Sequence, residues 1–228
     1  LQLSLFEFGK AYIRMNKART EQEQLALFVT GNQQAESWYE PAKKSDFYQL
    51  HATVKNVLSR LGLADRLDSK PGTHPCLENQ LQYQLHGKPV VYLGKVNSKI
   101  CKHYDIKQDV WFATFEWATL LRETDQPIRF KELPKFPAMR RDLALVIGKD
   151  VAYSQLEEVA LASAGSLLRA VNLFDVYEGE KVAAGKRSYA LSFILQDEEK
   201  TLTDEVADKV MQKLMHNFEK SLGATVRQ

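Results

Sequence analysis

RRDLALVI, at residues 140–147, begins the series of elements that decides the fold of the second half of the chain. Its apolar pattern predicts a strand at 142–147. The patterns that follow predict a helix at 154–164, strands at 170–177 and 188–196, a helix at 204–222 and a short strand at 224–226. This βαββαβ order is typical of a ferredoxin-like domain, in which two helices cover one face of a four-stranded antiparallel sheet and the other face stays free.

The helix boundaries of this half carry capping signals. Ser154 with Glu157 predicts a capping box, and Thr203 followed by two acidic residues predicts the start of the last helix. Gly223 predicts its end. Seven apolar residues of the last helix share one face and predict its buried stripe: Val206, Val210, Met211, Leu214, Met215, Phe218 and Leu222.

A proline-rich segment separates this half from the first. Pro127, Pro134 and Pro137 fall within eleven positions, which predicts an extended linker at 126–137 between domains at 1–125 and 138–228. The first domain is predicted to be α+β. We expect strands at 3–12, 24–30 and 110–117, a hairpin of 80–85 with 89–96, and a helix capped by Ser45 or Asp46.

Composition places the chain among globular proteins. Its 228 residues carry 31 Lys and Arg against 29 Asp and Glu, and 44% are hydrophobic. No apolar run is long enough for a membrane helix, and two cysteines fit a reducing compartment, so a soluble cytoplasmic protein is expected. The first residues lack a Met and follow a strand pattern, so we expect a fragment of a longer protein.

The groups most able to do chemistry do not form a convincing site. His74 and Cys76, like Cys101 and His103, are separated by one residue, whereas paired zinc ligands are usually separated by two to four. No glycine-rich phosphate loop precedes a helix. The acidic residues of segment 197–208 are expected to be solvated rather than to bind a cation. We therefore predict neither a metal site nor catalytic residues.

Two basic pairs suggest a nucleic-acid surface on the second domain. Arg140 with Arg141 begins the first strand and Lys186 with Arg187 begins the third, although residues 131–228 carry 14 basic and 15 acidic side chains in total. Both strands are central in this topology, so we expect the pairs to lie close together and to contact phosphates. Phe174, Tyr177 and Tyr189 lie on adjacent strands, as in single-stranded RNA readers. Basic residues at strand starts and aromatic residues facing the helices would explain the same pattern.

Four motifs of this half resemble the ferredoxin-fold anticodon-binding domain of phenylalanyl-tRNA synthetases: LPKFPAMRRDLAL at 133–145, LFDVYEG at 173–179, GKRS at 185–188 and TLTD at 201–204. The first half resembles the catalytic-like core of the bacterial β subunit of that family, through LFEFGKAY at 5–12, LFVTG at 27–31, Trp38 and DFYQL at 46–50. His51, where the family usually has Lys, and the segment 95–99 depart from the pattern.

The resemblance implies a fold and a set of roles. The fold is a partial class II synthetase-like antiparallel sheet core followed by the ferredoxin-like domain. The holoenzyme uses ATP and Mg²⁺ to charge tRNA(Phe) with phenylalanine, its active site lies in the α subunit of an α2β2 heterotetramer, and this chain carries no catalytic residue and no cofactor. The partners implied are tRNA(Phe) and the α subunit, without DNA or membrane.

The resemblance also assigns candidate RNA contacts. Arg140, Arg141, Lys186 and Arg187 would contact phosphates, Phe174 or Tyr177 would stack on a base, and Asp175 or Ser188 would contact a base edge. Two alternatives stay open: a ferredoxin-like module that regulates an enzyme by binding a small ligand, and a protein-interaction module whose free sheet face packs against a partner. Neither would bind RNA.

Overall fold

The structure is a computed structural model that describes residues 1–15, 18–124, 132–179 and 182–227. The chain divides into two compact units, Leu1–Arg129 and Phe130–Gln228, which we call unit 1 and unit 2. The domain boundaries at 125 and 138 stay predictions. Half of the predicted linker, 126–131, lies outside the described residues.

A long hairpin begins unit 1. β1 (Leu3–Met15) and β2 (Ala18–Thr30) pair antiparallel over 13 residues each. The predicted strands at 3–12 and 24–30 are confirmed, and both extend further because the polar segment 18–23 pairs as well. The hairpin supplies two strands at one edge of a six-stranded sheet.

Antiparallel pairing continues through the rest of that sheet. β2 is followed in space by β6 (Val110–Glu116), β5 (Lys88–Val96), β4 (Leu77–Leu85) and β3 (Asp68–Pro71). The predicted hairpin of β4 and β5 is confirmed. Its turn has positive φ at His86 and Gly87, 50° and 76°, a combination that the twist of a tight hairpin favours and that glycine adopts without strain.

α1 (Phe47–Arg60) packs on one face of this sheet. It begins where predicted, because the Asp46 carboxylate accepts a hydrogen bond of 2.9 Å from the Gln49 N–H. Leu50, Val54 and Leu58 are buried against β-strand residues such as Leu27 and Phe115. Two short helices, α2 (Ser98–His103) and α3 (Trp117–Arg122), were not predicted, and the predicted strand at 110–117 ends one residue early because Trp117 begins α3.

His51 joins α1 to the sheet. Its ring stacks between Phe47 and Tyr83, and its Nε2 lies 2.7 Å from the Tyr83 hydroxyl. Burial lowers the pKa of His51 and raises the pKa of Tyr83 to about 12, so this hydrogen bond joins a neutral imidazole to a neutral phenol.

This contact predicts a pH-dependent stability. The unfolded chain, with an ordinary His pKa near 6.5, binds more protons than the folded chain. The contribution of His51 to the free energy of unfolding is therefore fully present above about pH 6.5. It declines as the pH falls towards the lower pKa that His51 has in the folded chain. Urea unfolding followed by tryptophan fluorescence should show a smaller loss between pH 7.5 and pH 5 for His51→Gln than for the original chain. An equal loss would contradict this assignment.

Unit 2 has the predicted βαββαβ order. Its elements are β7 (Met139–Gly148), α4 (Tyr153–Ala164), β8 (Leu168–Tyr177), β9 (Lys186–Leu195), α5 (Asp204–Leu222) and β10 (Thr225–Val226). The sheet order is β10-β7-β9-β8, with antiparallel pairing throughout. β7 and β9 are the central strands, as expected for a ferredoxin-like domain.

The helix ends agree with the sequence signals at α5 and not at α4. Thr203 is the N-cap of α5, and Gly223 ends it in the left-handed conformation with φ 60°. The predicted capping box of Ser154 and Glu157 is wrong. α4 begins one residue earlier than predicted, at Tyr153, and the Gln155 side chain accepts a 2.9 Å hydrogen bond from the N–H of Ala152.

Both helices cover the same face of the sheet. Leu156 of α4 and Leu214 of α5 are fully buried in one cluster with Leu145 and Leu191 of the central strands. The predicted stripe of α5 forms much of this core, except that Val206 is 38% exposed. Phe218 is fully buried, with its ring centroid 6.1 Å from that of Phe193.

Replacing Phe218 should therefore destabilise unit 2 strongly. Phe218→Ala removes a buried ring and leaves a cavity, which typically costs about 3–5 kcal/mol. Val206→Ala on the same helix is the matched control and should cost much less, because that side chain keeps contact with solvent. Amide hydrogen exchange in β7 and β9 measures the loss of stability in each of the two variants. Similar exchange rates in the two variants would contradict the described packing.

Candidate nucleic-acid interface

The face of the unit 2 sheet opposite the helices is here called the open face. Successive residues of a strand point to opposite faces. Because Leu143, Leu145 and Ile147 are buried beneath the helices, their β7 neighbours Arg140, Asp142, Ala144 and Val146 point to the open face. The pairing register then adds residues of β9 and β8 to the same face.

Small side chains form the centre of the open face. Ala144 of β7 pairs with Ala190 of β9, and Ser188 and Ser192 flank Ala190 on the same side of β9. The two serines are only 4% and 3% exposed. Because no helix lies on this face among the described residues, longer side chains of the face itself must cover the serines.

Two arginine–aromatic pairs supply long side chains there. The guanidinium carbon of Arg140 lies 5.4 Å from the ring centroid of Phe174, and that of Arg227 lies 5.4 Å from the ring centroid of Tyr177. Both distances suit a cation–π contact. Phe174 lies at a register shift of β8 between Leu173 and Asp175.

The Arg227 pair crosses the sheet. The Arg227 N–H donates to the Ala144 carbonyl and so extends the pairing of β10 with β7. Its partner Tyr177 lies on β8, the opposite edge strand, directly across from Ser188 of β9. The two side chains therefore meet above the central strands, where the small residues leave room for them.

Some charged side chains of the open face have an ion-pair partner and others have none. Asp142 accepts two hydrogen bonds from Arg140, of 2.8 and 3.1 Å, and this contact raises the pKa of the Arg140 guanidinium. Asp175, two residues from Tyr177 on β8, is exposed, and its side-chain carboxylate has no hydrogen-bond or ion-pair partner within the described ranges. Its acceptors are thus available to a ligand.

The predicted grouping of the two basic pairs is wrong. Arg140 pairs in register with Ile194, and Arg187 pairs with Ile147, seven positions further along. Seven residues of a strand span about 24 Å. The strands begin at opposite ends of the sheet because they are antiparallel, so Arg140 and Arg141 do not lie near Lys186 and Arg187.

Each basic pair is also divided between the two faces. Arg141 points to the helix-covered side, where its guanidinium binds Asp204 and lies 3.5 Å from Asp208 at the start of α5. Arg187 also points to that side, donates to the Val151 carbonyl at 2.8 Å, and lies 4.7 Å above the Tyr189 ring. Arg140 and Lys186 point to the open face.

Six of the eight candidate RNA contacts therefore share the open face: Arg140, Phe174, Asp175, Tyr177, Lys186 and Ser188. Arg141 and Arg187 do not. Sequence reasoning missed Arg227, which follows a strand of two residues and becomes recognisable only through its contact with Tyr177.

The His and Cys residues that suggested zinc make other contacts. The backbone N–H of His74 donates to the Gln80 side chain, and the Cys76 N–H lies 3.4 Å from His74 Nδ1. Cys101 is buried in α2. Within the described residues, no three His, Cys, Asp or Glu side chains are placed to hold a metal ion. No helix of the described chain is both long and apolar enough to cross a membrane.

Unit 1 carries a separate set of exposed aromatic residues on its edge strand. Phe6 and Tyr12 of β1 are 71% and 75% exposed. The Phe8 ring, which is also exposed, meets the rings of Phe6 and Trp117 edge to face at 6.1 and 5.0 Å. Exposed aromatic groups of this size usually mark an interaction surface.

The two units match two protein families. Residues 1–117 match the family described as the phenylalanyl tRNA synthetase beta chain CLM domain, and residues 134–227 match the ferredoxin-fold anticodon binding domain. The class of protein is thus an α+β chain that joins an antiparallel-sheet module to an anticodon-binding ferredoxin fold. The chain belongs to the phenylalanyl-tRNA synthetase beta-chain family.

Relatives resemble the whole chain. It is 40% identical over 238 residues to a phenylalanine–tRNA ligase beta subunit of Bacteroides thetaiotaomicron, covering 99% of this chain and 29% of the relative. Beta subunits of Porphyromonas gingivalis and Halalkalibacterium halodurans are 34% and 32% identical, covering 100% and 99% of this chain and 29% and 28% of theirs. The chain therefore spans under a third of the length of these relatives.

Proposed function

We propose that this chain forms the C-terminal part of a phenylalanine–tRNA ligase beta subunit, and that the open face of unit 2 binds the anticodon region of tRNA(Phe). The observation that carries the proposal is the Arg227–Tyr177 pair above Ser188, with the unpaired Asp175 beside it. These groups combine a stacking surface, a positive charge and a free acceptor on one sheet face.

Stacking is the first part of the proposed recognition. Single-stranded RNA is bound largely by stacking unpaired bases on aromatic rings and guanidinium planes. Tyr177 presents such a ring and Arg227 such a plane. The small alanine and serine side chains of the central strands leave room for this pair, so a flat base stacks on the outer side of the pair.

Asp175 supplies the second part, discrimination between bases. An ionised carboxylate only accepts hydrogen bonds. Guanine is the base whose Watson–Crick edge presents two adjacent donors, N1–H and the N2 amino group. Since Asp175 and Tyr177 point to the same side of β8, a base stacked on Tyr177 presents its edge to Asp175, which favours guanine.

Phosphate contacts are the third part. Lys186 and Arg140 lie at opposite ends of the open face, about 24 Å or more apart by the register. This arrangement suits an extended RNA strand that runs along β9 better than a single bound phosphate. Phosphate contacts position the RNA without reading its sequence.

Unit 1 is proposed to be a non-catalytic scaffold for the catalytic α subunit in an α2β2 assembly. The exposed aromatic residues of β1 support a protein contact there. In this proposal the α subunit uses ATP and Mg²⁺, no cofactor binds to this chain, and the assembly acts in the cytoplasm.

Binding of the 228-residue chain to tRNA(Phe) tests the anticodon role. Tyr177→Ala should weaken binding about 5- to 150-fold, because loss of one stacking side chain costs about 1–3 kcal/mol. Asp175→Asn should bind wild-type tRNA more weakly. This variant should also no longer distinguish wild-type tRNA from a transcript in which another base replaces the anticodon guanine. With two or three open-face cations in contact, the binding constant should fall with a log–log salt slope of about −2.

Lys213→Ala is the matched charge control, because Lys213 is an exposed residue of α5 on the helical side of unit 2. It should change affinity less than twofold, whereas Arg227→Ala should weaken binding at least fivefold. Equal effects of Arg227→Ala and Lys213→Ala would indicate nonspecific attraction. No binding by the folded chain would favour a ferredoxin-like regulatory or protein-interaction module instead.

A further inference from the structure

β8 carries the same short pattern twice, and the proposed base recognition uses only the second copy. The segments NLF at 172–174 and DVY at 175–177 each place a polar residue two positions before an aromatic residue. Residues three apart on a regular strand point to opposite faces of the sheet. In a regular strand, the two aromatic rings would therefore lie on opposite sides.

A register shift brings both copies to the open face. The pairing of β8 with β9 is irregular at Phe174, which is the extra residue of a bulge. Asn172, before the bulge, pairs with Ser192, which in turn pairs with Asp142 of the open face. Asn172 therefore points to the open face as well. The bulge thus places the polar and aromatic groups of both copies on one side of the sheet.

Each ring is paired with an arginine that reaches across the central strands. Arg140 extends from β7 to Phe174, and its guanidinium carbon lies 5.4 Å from that ring centroid. Arg227, which follows β10, reaches Tyr177 at the same distance. Asp142 accepts two hydrogen bonds from Arg140 and so orients its guanidinium. The Arg140–Phe174 pair therefore repeats the stacking surface of the Arg227–Tyr177 pair.

The first copy is accessible to a ligand. Phe174 is 50% exposed, which is more than the 37% of Tyr177. Asn172 is also exposed, and its side-chain amide has no hydrogen-bond partner within the part of the chain that the structure describes. An amide offers both donors and an acceptor, and every RNA base presents an adjacent donor and acceptor on its Watson–Crick edge. A base stacked on Phe174 is therefore within the chemistry of Asn172.

We propose that Phe174, Arg140 and Asn172 form a second base-binding site, so that the open face holds two unpaired bases of one RNA strand. This inference rests on the proposed anticodon function. The anticodon guanine stacks on the Tyr177 pair beside Asp175. A second base of the same loop stacks on the Phe174 pair, and Asn172 bonds to its edge.

The spacing of the two sites determines how the RNA is held. Three residues of extended chain span about 10 Å, whereas neighbouring bases in a stacked strand are about 3.4 Å apart. The two bound bases are therefore not adjacent members of one stack. The anticodon loop must present them separately, as single-stranded RNA does when its bases stack on aromatic side chains.

A scan with abasic nucleotides tests the proposal. A set of anticodon stem-loops of tRNA(Phe), each lacking the base of one loop nucleotide, is titrated with the 228-residue chain by fluorescence anisotropy. Loss of the guanine should weaken binding at least fivefold, and so should loss of one other base, here called the second base. Phe174→Ala should weaken the intact stem-loop at least fivefold and abolish the effect of removing the second base. Tyr177→Ala should abolish only the effect of removing the guanine.

Further variants separate stacking from folding. Phe174→Trp keeps an aromatic ring and should retain the effect of removing the second base, whereas Phe174→Leu should lose it. Asn172→Ala should weaken the intact stem-loop at least twofold and leave unchanged the one that lacks the second base. Val176→Ala is the matched control, because Val176 is 47% exposed on the same strand but pairs with Tyr189, which is buried on the helix side. It should change affinity less than twofold.

Three results would overturn the proposal. If Tyr177→Ala abolishes the effect of removing the guanine while Phe174→Ala changes no abasic effect, the second site is wrong and the proposed function stands. If the folded chain binds no stem-loop, both are wrong. If Val176→Ala weakens binding as much as Phe174→Ala, the loss comes from the fold of β8 and not from a stacked base.

Discussion

The antiparallel pairing of β7 with β9 is the constraint on which unit 2 depends. Ten consecutive residue pairs join these strands without a register shift, from Met139 with Leu195 to Gly148 with Lys186. A slip of one residue would turn Leu143 and Leu145 outward and bring Asp142 beneath the helices. The hydrophobic core and the candidate RNA surface are therefore two consequences of one register.

The same register supports the proposal that the open face binds a base rather than a protein partner. On this face the central strands carry small side chains. The long side chains come from the edges of the sheet, from Arg227 beside β10 and Tyr177 on β8. A guanidinium over an exposed ring reduces the apolar area that the face presents to other chains. It also holds the ring in place before a ligand arrives, which lowers the entropy cost of binding.

Much of this architecture could be predicted from the sequence, because local signals determined it. The βαββαβ order, the Asp46 cap and the Gly223 end each depend on neighbouring residues. The relation of Arg140 to Arg187 could not be predicted in that way. Both lie at strand starts, but antiparallel pairing places those starts at opposite ends of the sheet. Arg227 was missed for a similar reason, since its role depends on a ring 50 positions away in the chain.

Amide chemical-shift mapping with an isotopically labelled chain tests directly whether the open face of unit 2 binds RNA. Titration with the anticodon stem-loop of tRNA(Phe) should shift the amides of the central open-face residues, Ala144, Ser188 and Ala190, together with those near Tyr177. Amides on the outer sides of α4 and α5 should remain in place. Shifts concentrated on those helices, with the open-face amides unchanged, would contradict the assignment of the RNA surface.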